Sequence, residues 1–244
     1  MTGIVTAAIA ALLLNLYALT LIFARGRLFG VKVYRPMVLN LGLSAVPIIA
    51  AIVLVVGPLL LTAVVAPAPA GTATVALWVF LIVSTAAWLV FFPNSTYLIT
   101  ELNFSHRRDD SPVPLWFDII QTLALTLSGI ANAVISLALV QTVFIGALID
   151  PPAGAGVPVA SWVFALTMIV AGAAGVYLGR TLRFNSWDMR HPTSLFAKLG
   201  RHLADKSNRA TALGFVGLHA VLVALVYVPI YALAYAAVSP VVAR

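Results

Sequence analysis

The chain contains no cysteine. Disulfide bridges, thiolate nucleophiles and cysteine-ligated zinc are therefore excluded. Charge is nearly as scarce: 14 Lys+Arg and 7 Asp+Glu in 244 residues, 9 % of the chain, against roughly 25 % in an ordinary soluble domain. Hydrophobic residues make up 62 %, and mean hydropathy is +1.08. So few charges cannot cover a soluble globule of this size. A soluble enzyme is excluded, and lipid must be the solvent. Signature motifs are missing too: there is no Walker-type phosphate loop, no G-x-S-x-G elbow and no H-E-x-x-H. His106, His191 and His202 lack the helical spacing of metal ligands. No cofactor is expected.

What the chain has instead is long apolar runs. A spanning helix needs about 20 mostly apolar residues, and six stretches qualify: Ile4 to Ala24, Met37 to Val65, Ala73 to Phe92, Ile119 to Ile149, Val159 to Gly179 and Thr211 to Val238. The expectation is an all-α, six-helix membrane bundle forming one domain. Pro47 and Pro58 in the second span and Pro229 in the sixth each remove a backbone donor and favour a bend. No Lys or Arg precedes the first run, so it reads as a true span rather than a cleavable signal peptide.

The net charge of +7 would suggest nucleic acid in a soluble protein. Here its distribution says otherwise. Arg25, Arg27, Lys32 and Arg35 follow the first span, and Arg107 and Arg108 follow the third. Arg180, Arg183, Arg190, Lys198, Arg201, Lys206 and Arg209 follow the fifth. The alternate connections carry none. The positive-inside rule places these segments in the cytoplasm and both termini outside. No nucleic-acid partner is expected. The expected partners are membrane lipids, with anionic lipid at the inner leaflet. Six of the seven acids share the basic side: Glu101, Asp109, Asp110, Asp118, Asp188 and Asp205. Topology does not explain that.

Between the fifth and sixth spans, residues 193–206 read as a short cytoplasmic amphipathic helix. Leu195, Leu199 and Leu203 repeat every four residues among Lys198, Arg201, His202, Asp205 and Lys206. A membrane-surface linker and a partner site are both open readings.

Two polar motifs interrupt the apolar sequence. The first is Phe92-Pro93-Asn94-Ser95-Thr96-Tyr97-Leu98-Ile99-Thr100-Glu101-Leu102. Pro93 ends or kinks its helix, and Asn94 and Ser95 can turn or cap the chain. If the segment beyond is α-helical, Tyr97 and Glu101 share a face. The second motif is Gly179-Arg180-Thr181-Leu182-Arg183-Phe184-Asn185-Ser186-Trp187-Asp188. If the fifth span continues as α-helix, Arg180, Arg183 and Trp187 align, and two guanidinium forks suit a phosphate or carboxylate. For the arginines, with Trp187 in the interfacial belt, anchoring at the interface is the simpler reading. It does not explain Asn185, Ser186 and Asp188.

Between the motifs, Trp116-Phe117-Asp118 opens the fourth span, which carries a polar stripe. Asp118, Thr122, Ser128 or Gly129, Asn132 and Ser136 recur every three or four residues, with Gln121 beside them. Such a stripe faces the bundle interior, either to bond other helices or to line a cavity. Asn15, Asn40 and His219 are placed to meet it. Ala171, Gly175 and Gly179 offer a close-packing face on the fifth span. Glu101, Asp118 and Asp188 could hold a cation, though their spacing does not show it.

These motifs resemble those of an uncharacterised family of bacterial integral membrane proteins, domain-of-unknown-function family thirteen-sixty-one. Phe92 to Leu102, Trp116 to Asp118 and Gly179 to Asp188 match its pattern, with Glu101 where the family commonly has Asp. The resemblance implies a multi-pass protein of the bacterial cytoplasmic membrane and no known reaction.

Three functions remain open. The leading one is transport or lipid handling, with Arg180 and Arg183 holding an anionic small molecule or lipid head group. Glu101, Asp118 and Asp188 would orient those arginines. Asn94, Tyr97, Asn185, Ser186 and Trp187 complete the candidate site, with Gln121, Asn132 and His219 deeper in the membrane. The second is an enzyme acting on a lipid head group through paired carboxylates. The third is an accessory or assembly subunit whose polar groups satisfy one another.

Overall fold

The apolar runs fold into helices whose ends are set by a few residues. The computed structural model describes residues 2–67, 69–102, 112–149, 151, 155–182 and 192–242. Helix α1 (Thr2–Phe29) stops at Gly30, whose φ of 65° is a left-handed conformation that costs glycine no Cβ clash. Helix α2 (Arg35–Val65) has Pro36 in its first turn, where the missing N–H had no partner to lose. Helix α3 (Ala70–Phe91) passes through Phe92 into the short α4 (Pro93–Tyr97) and then a 3-10 turn, Leu98–Leu102. Helix α5 (Leu115–Leu148) and helix α6 (Val159–Tyr177) follow, α6 running into a π-helical turn, Leu178–Leu182. Helix α7 (Pro192–Ala204) precedes α8 (Lys206–Val242). The Asp205 carboxylate separates them, accepting the backbone N–H groups of Ser207 at 2.7 Å and Asn208 at 3.1 Å, as an N-cap does.

No strand occurs among the described residues. Six helical segments are long and apolar enough to cross a membrane: α1, α2, α3 with its continuation to Glu101, α5, α6 and α8. The six expected spans are therefore present, mostly a few residues longer at their ends. The amphipathic segment is helical as expected, as α7.

The first polar motif differs from expectation in its place. It does not follow the third span but forms its last turns, with Ser95, Thr96 and Leu98 buried. Pro93 breaks the backbone ladder, yet the chain stays helical through α4. The break lays the motif across α6. A Cβ on Gly172 would come within 2.7 Å of the Phe92 ring, and one on Gly175 would collide with the Pro93 ring. The close-packing glycines of α6 are thus Gly172 and Gly175. Gly179 faces open space, which corrects the expected Ala171–Gly175–Gly179 face. The reason is that Phe92 and Pro93 are adjacent and need hollows three residues apart, one turn of α6.

Helix α5 is the centre of the bundle. Its apolar window is 61 % buried, against 11–33 % in the other five spans. One large apolar cluster joins α5 to α2, α3, α6 and α8, around Trp88, Phe92, Leu137 and Tyr227. A smaller one joins α5 to α1, α2 and the 3-10 turn, through Ala18, Ile22, Leu41, Leu98 and Leu125.

Candidate functional site

Four elements converge near the end of the bundle that carries Arg25, Arg35 and Arg180. Their facing residues follow helical spacing. On α1 the stripe is Ala11, Asn15, Ala18, Ile22 and Arg25; on α2 it is Met37, Asn40, Leu41 and Ser44; on α5 it is Asp118, Gln121, Leu125, Ser128 and Asn132. The 3-10 turn supplies Glu101.

At the basic end, Arg25 Nε donates to Asp118 Oδ1 at 3.0 Å. Asn40 Nδ2 donates to Glu101 Oε1 at 2.9 Å. Gln121 Nε2 lies 3.3 Å from Met37 Sδ, and Gln121 Oε1 is buried with no partner among the described residues. Deeper in, Ser95 Oγ donates to the Ser44 carbonyl at 2.7 Å, in the turn of α2 that Pro47 disturbs. Deeper still, Asn15 and Asn132 exchange amide hydrogen bonds of 2.9 and 3.1 Å. Their other amide hydrogens go to the Ala11 carbonyl and Ser44 Oγ. From Asp118 to Asn132 the ladder runs about 21 Å along α5.

The stripe on α5 is therefore spent on bonds between and within helices. Thr122 and Ser136 bond carbonyls of α5 itself, and Ser128 bonds carbonyls of both α5 and α1. In hydrocarbon an unpaired polar group costs several kcal/mol, so these bonds, beside the Ala18 and Ile22 contacts, help hold α1 to the bundle. Gly129 belongs to the same design. A Cβ there would strike the Ser95 carbonyl oxygen and come within 2.8 Å of Leu98 Cβ, so only glycine lets the motif seat on α5.

The sequence candidates divide as follows. Glu101, Asp118, Gln121 and Asn132 join this ladder. Asn94 and Tyr97 are half-buried nearby, with no side-chain hydrogen bond among the described residues. Tyr97 ends α4 and Glu101 sits on the 3-10 turn. At three residues per turn, positions four apart do not share a face, so the conditional pairing of Tyr97 with Glu101 lapses. Arg180 is exposed and lies in the π turn, so α6 does not continue as an α-helix into the second motif. Arg183, Asn185, Ser186, Trp187 and Asp188 lie outside the described residues. His219 does not meet the stripe: it stacks on Phe215 at 5.4 Å between ring centroids, and its buried Nε2 has no partner among the described residues. Asn15 meets the stripe directly, whereas Asn40 turns to Glu101. No group of three or more His, Cys, Asp or Glu side chains that could hold a metal occurs among the described residues.

Sequence reasoning missed Arg25 as a site residue. Topology already accounted for it as an inside charge. The signal was its spacing: positions 11, 15, 18, 22 and 25 repeat every three or four residues, which puts Arg25 on the same face as Asn15. Its bond to Asp118 uses Nε alone, and its side chain is 27 % exposed. Its two terminal nitrogens carry no bond to any other described residue, so a carboxylate-oriented guanidinium keeps donors for an anion.

Residues 39–226 match the family model described as Protein of unknown function (DUF1361), and the chain belongs to that family. The matched stretch runs from within α2 to within α8, while Asn15, Arg25 and Arg35 precede it. No curated protein and no solved structure matches the chain.

Proposed function

We propose that this protein binds an anionic amphiphile at the cytoplasmic face of its membrane and handles or transports it. The expected ligand is an anionic lipid head group, held where Arg25 of α1 and Arg35 of α2 meet the Asp118 end of α5. The observation that carries this reading is the Arg25–Asp118 pair. In this reading Asp118 orients Arg25, through the 3.0 Å bond to its Nε, rather than Arg180 or Arg183. Arg180, exposed on the π turn, would add a second guanidinium to the anion's surroundings. Most of the ladder's polar side chains are already paired, which favours lipid handling over conduction of a polar solute.

Lipid carried through purification in detergent tests this, read by native mass spectrometry after exposure to equal parts phosphatidylglycerol and phosphatidylcholine. Wild type should retain phosphatidylglycerol preferentially. Arg25→Lys keeps the charge but loses the fork, and should lower the preference by about tenfold, the scale of one charge-assisted hydrogen bond. Equal retention of both lipids by wild type would overturn the reading.

A second reading has its own support. Glu101 is bonded by Asn40 and Asp118 by Arg25, the mutual satisfaction that an accessory or assembly subunit would show. Such a subunit has no lipid preference for Arg25→Lys to lose.

A further inference from the structure

A groove runs along the bundle between α1 and α2, with α5 as its floor. Leu12, Leu16 and Leu19 form one wall, Gly42 and Ile48 the other, and Ile135 lies below. Its volume is about 510 Å³. From Ala8 to Leu19 it extends about 16 Å at the helical rise. A single hydrocarbon chain fits.

The chemistry of the walls agrees. The polar side chains reaching the groove are Asn15 and Asn132, and all four of their amide hydrogens are committed. The groove offers an occupant dispersion contact and no free amide donor, so the occupant is apolar along its length. One end is different. Arg25 lies six residues beyond Leu19 on α1, and Arg35 three residues before Val38 on α2, about 9 and 5 Å past the groove at the helical rise. An apolar slot that opens onto cations complements a molecule with an apolar tail and an anionic head.

We infer that the groove between α1 and α2 holds one acyl chain of an anionic phospholipid whose phosphate reaches Arg25. This rests on the proposed anionic-amphiphile function and assigns its tail a place. Gly42 serves as the hollow: a Cβ there meets nothing within 4 Å, so the space beside it is open to the chain.

The experiment uses phosphatidylglycerol carrying a photoreactive group in one acyl chain, in vesicles diluted with phosphatidylcholine, followed by peptide mapping. Crosslinks should concentrate on α1 and α2 at the groove. Gly42→Phe places a ring in the slot from a position where a Cβ meets nothing within 4 Å, and should cut both the crosslink and phosphatidylglycerol retention by about tenfold. Ala45→Leu is a milder plug with the same expected direction, should Gly42→Phe fail to fold. Crosslinks spread evenly over the lipid-facing helices, or a folded plug variant that binds as wild type does, would overturn the groove. If Arg25→Lys still loses the lipid preference in that case, the head-group reading stands without it. If wild type shows no preference for the anionic lipid, the head-group reading itself fails.

Discussion

The two sides of α5 are built differently. Toward α6 and α8 it joins a large apolar cluster with stacked and edge-on rings: Phe144 on Phe164 at 4.3 Å, Trp162 on Tyr231 at 5.7 Å and Tyr227 on Tyr231 at 5.5 Å. Polar groups there are few and local, as where Gln141 bonds Ser161 and accepts the Tyr227 hydroxyl. Toward α1 the apolar cluster is small, and polar bonds do the joining. Lipid tails are as apolar as leucine, so burial alone gives helices little reason to associate. The first side solves this by close packing. The second solves it with a polar ladder, which leaves room for a groove. Tight packing builds a frame; polar clasps hold a helix while leaving space for a guest.

Substitutions can break or sharpen that contrast. The largest effect is expected at Gly129, where the motif seats on α5. Gly129→Val overfills a closed contact and should destabilise by about 1–3 kcal/mol or more, seen as a lowered unfolding midpoint in detergent. Gly42→Ala, on the open side, should leave that midpoint unchanged or raise it slightly, since alanine is the better helix former. Equal losses at both would erase the distinction between the closed contact at Gly129 and the open groove at Gly42.

Asn132→Leu comes next. It removes the partner of Asn15 and of Ser44 Oγ together, and should cost about 1–2 kcal/mol on the scale of interhelical bonds in membranes. Hydrogen exchange should rise in α1 and stay low in α6 and α8. A uniform rise would mean that α1 is not separately held. The smallest effect is expected for Tyr227→Phe, which loses one hydrogen bond to Gln141 but keeps its ring in the stack. A loss of about 0.6 kcal/mol is the typical value for such a bond, and a midpoint shift larger than that of Asn132→Leu would reverse the proposed roles of the two sides.

Much of this was legible because membrane sequences are simple where they are apolar. Six runs gave six helices, and the recurrence of Asp118, Gln121, Ser128 and Asn132 marked the inward face of α5. Asn15 was legible as a partner by its isolation in an apolar run. Other features depend on backbone detail that spacing does not encode. The 3-10 turn at Glu101 and the π turn at Arg180 each change the residues per turn just where helical spacing was being used to align side chains. Gly172 was passed over for Gly179 because nothing in the sequence shows which hollows Phe92 and Pro93 need. Arg25 was hidden by a sufficient explanation: an inside arginine is expected, so its place on the Asn15 face drew no notice.

The most direct test is thermal unfolding of the purified protein with added lipid, because a ligand that binds only the folded state raises stability with its concentration. Phosphatidylglycerol should raise the midpoint of wild type where phosphatidylcholine does not, and Arg25→Lys should lose most of that rise while unfolding near the wild-type midpoint without lipid. An equal rise with both lipids, or a full rise in Arg25→Lys, would contradict an anion site at Arg25.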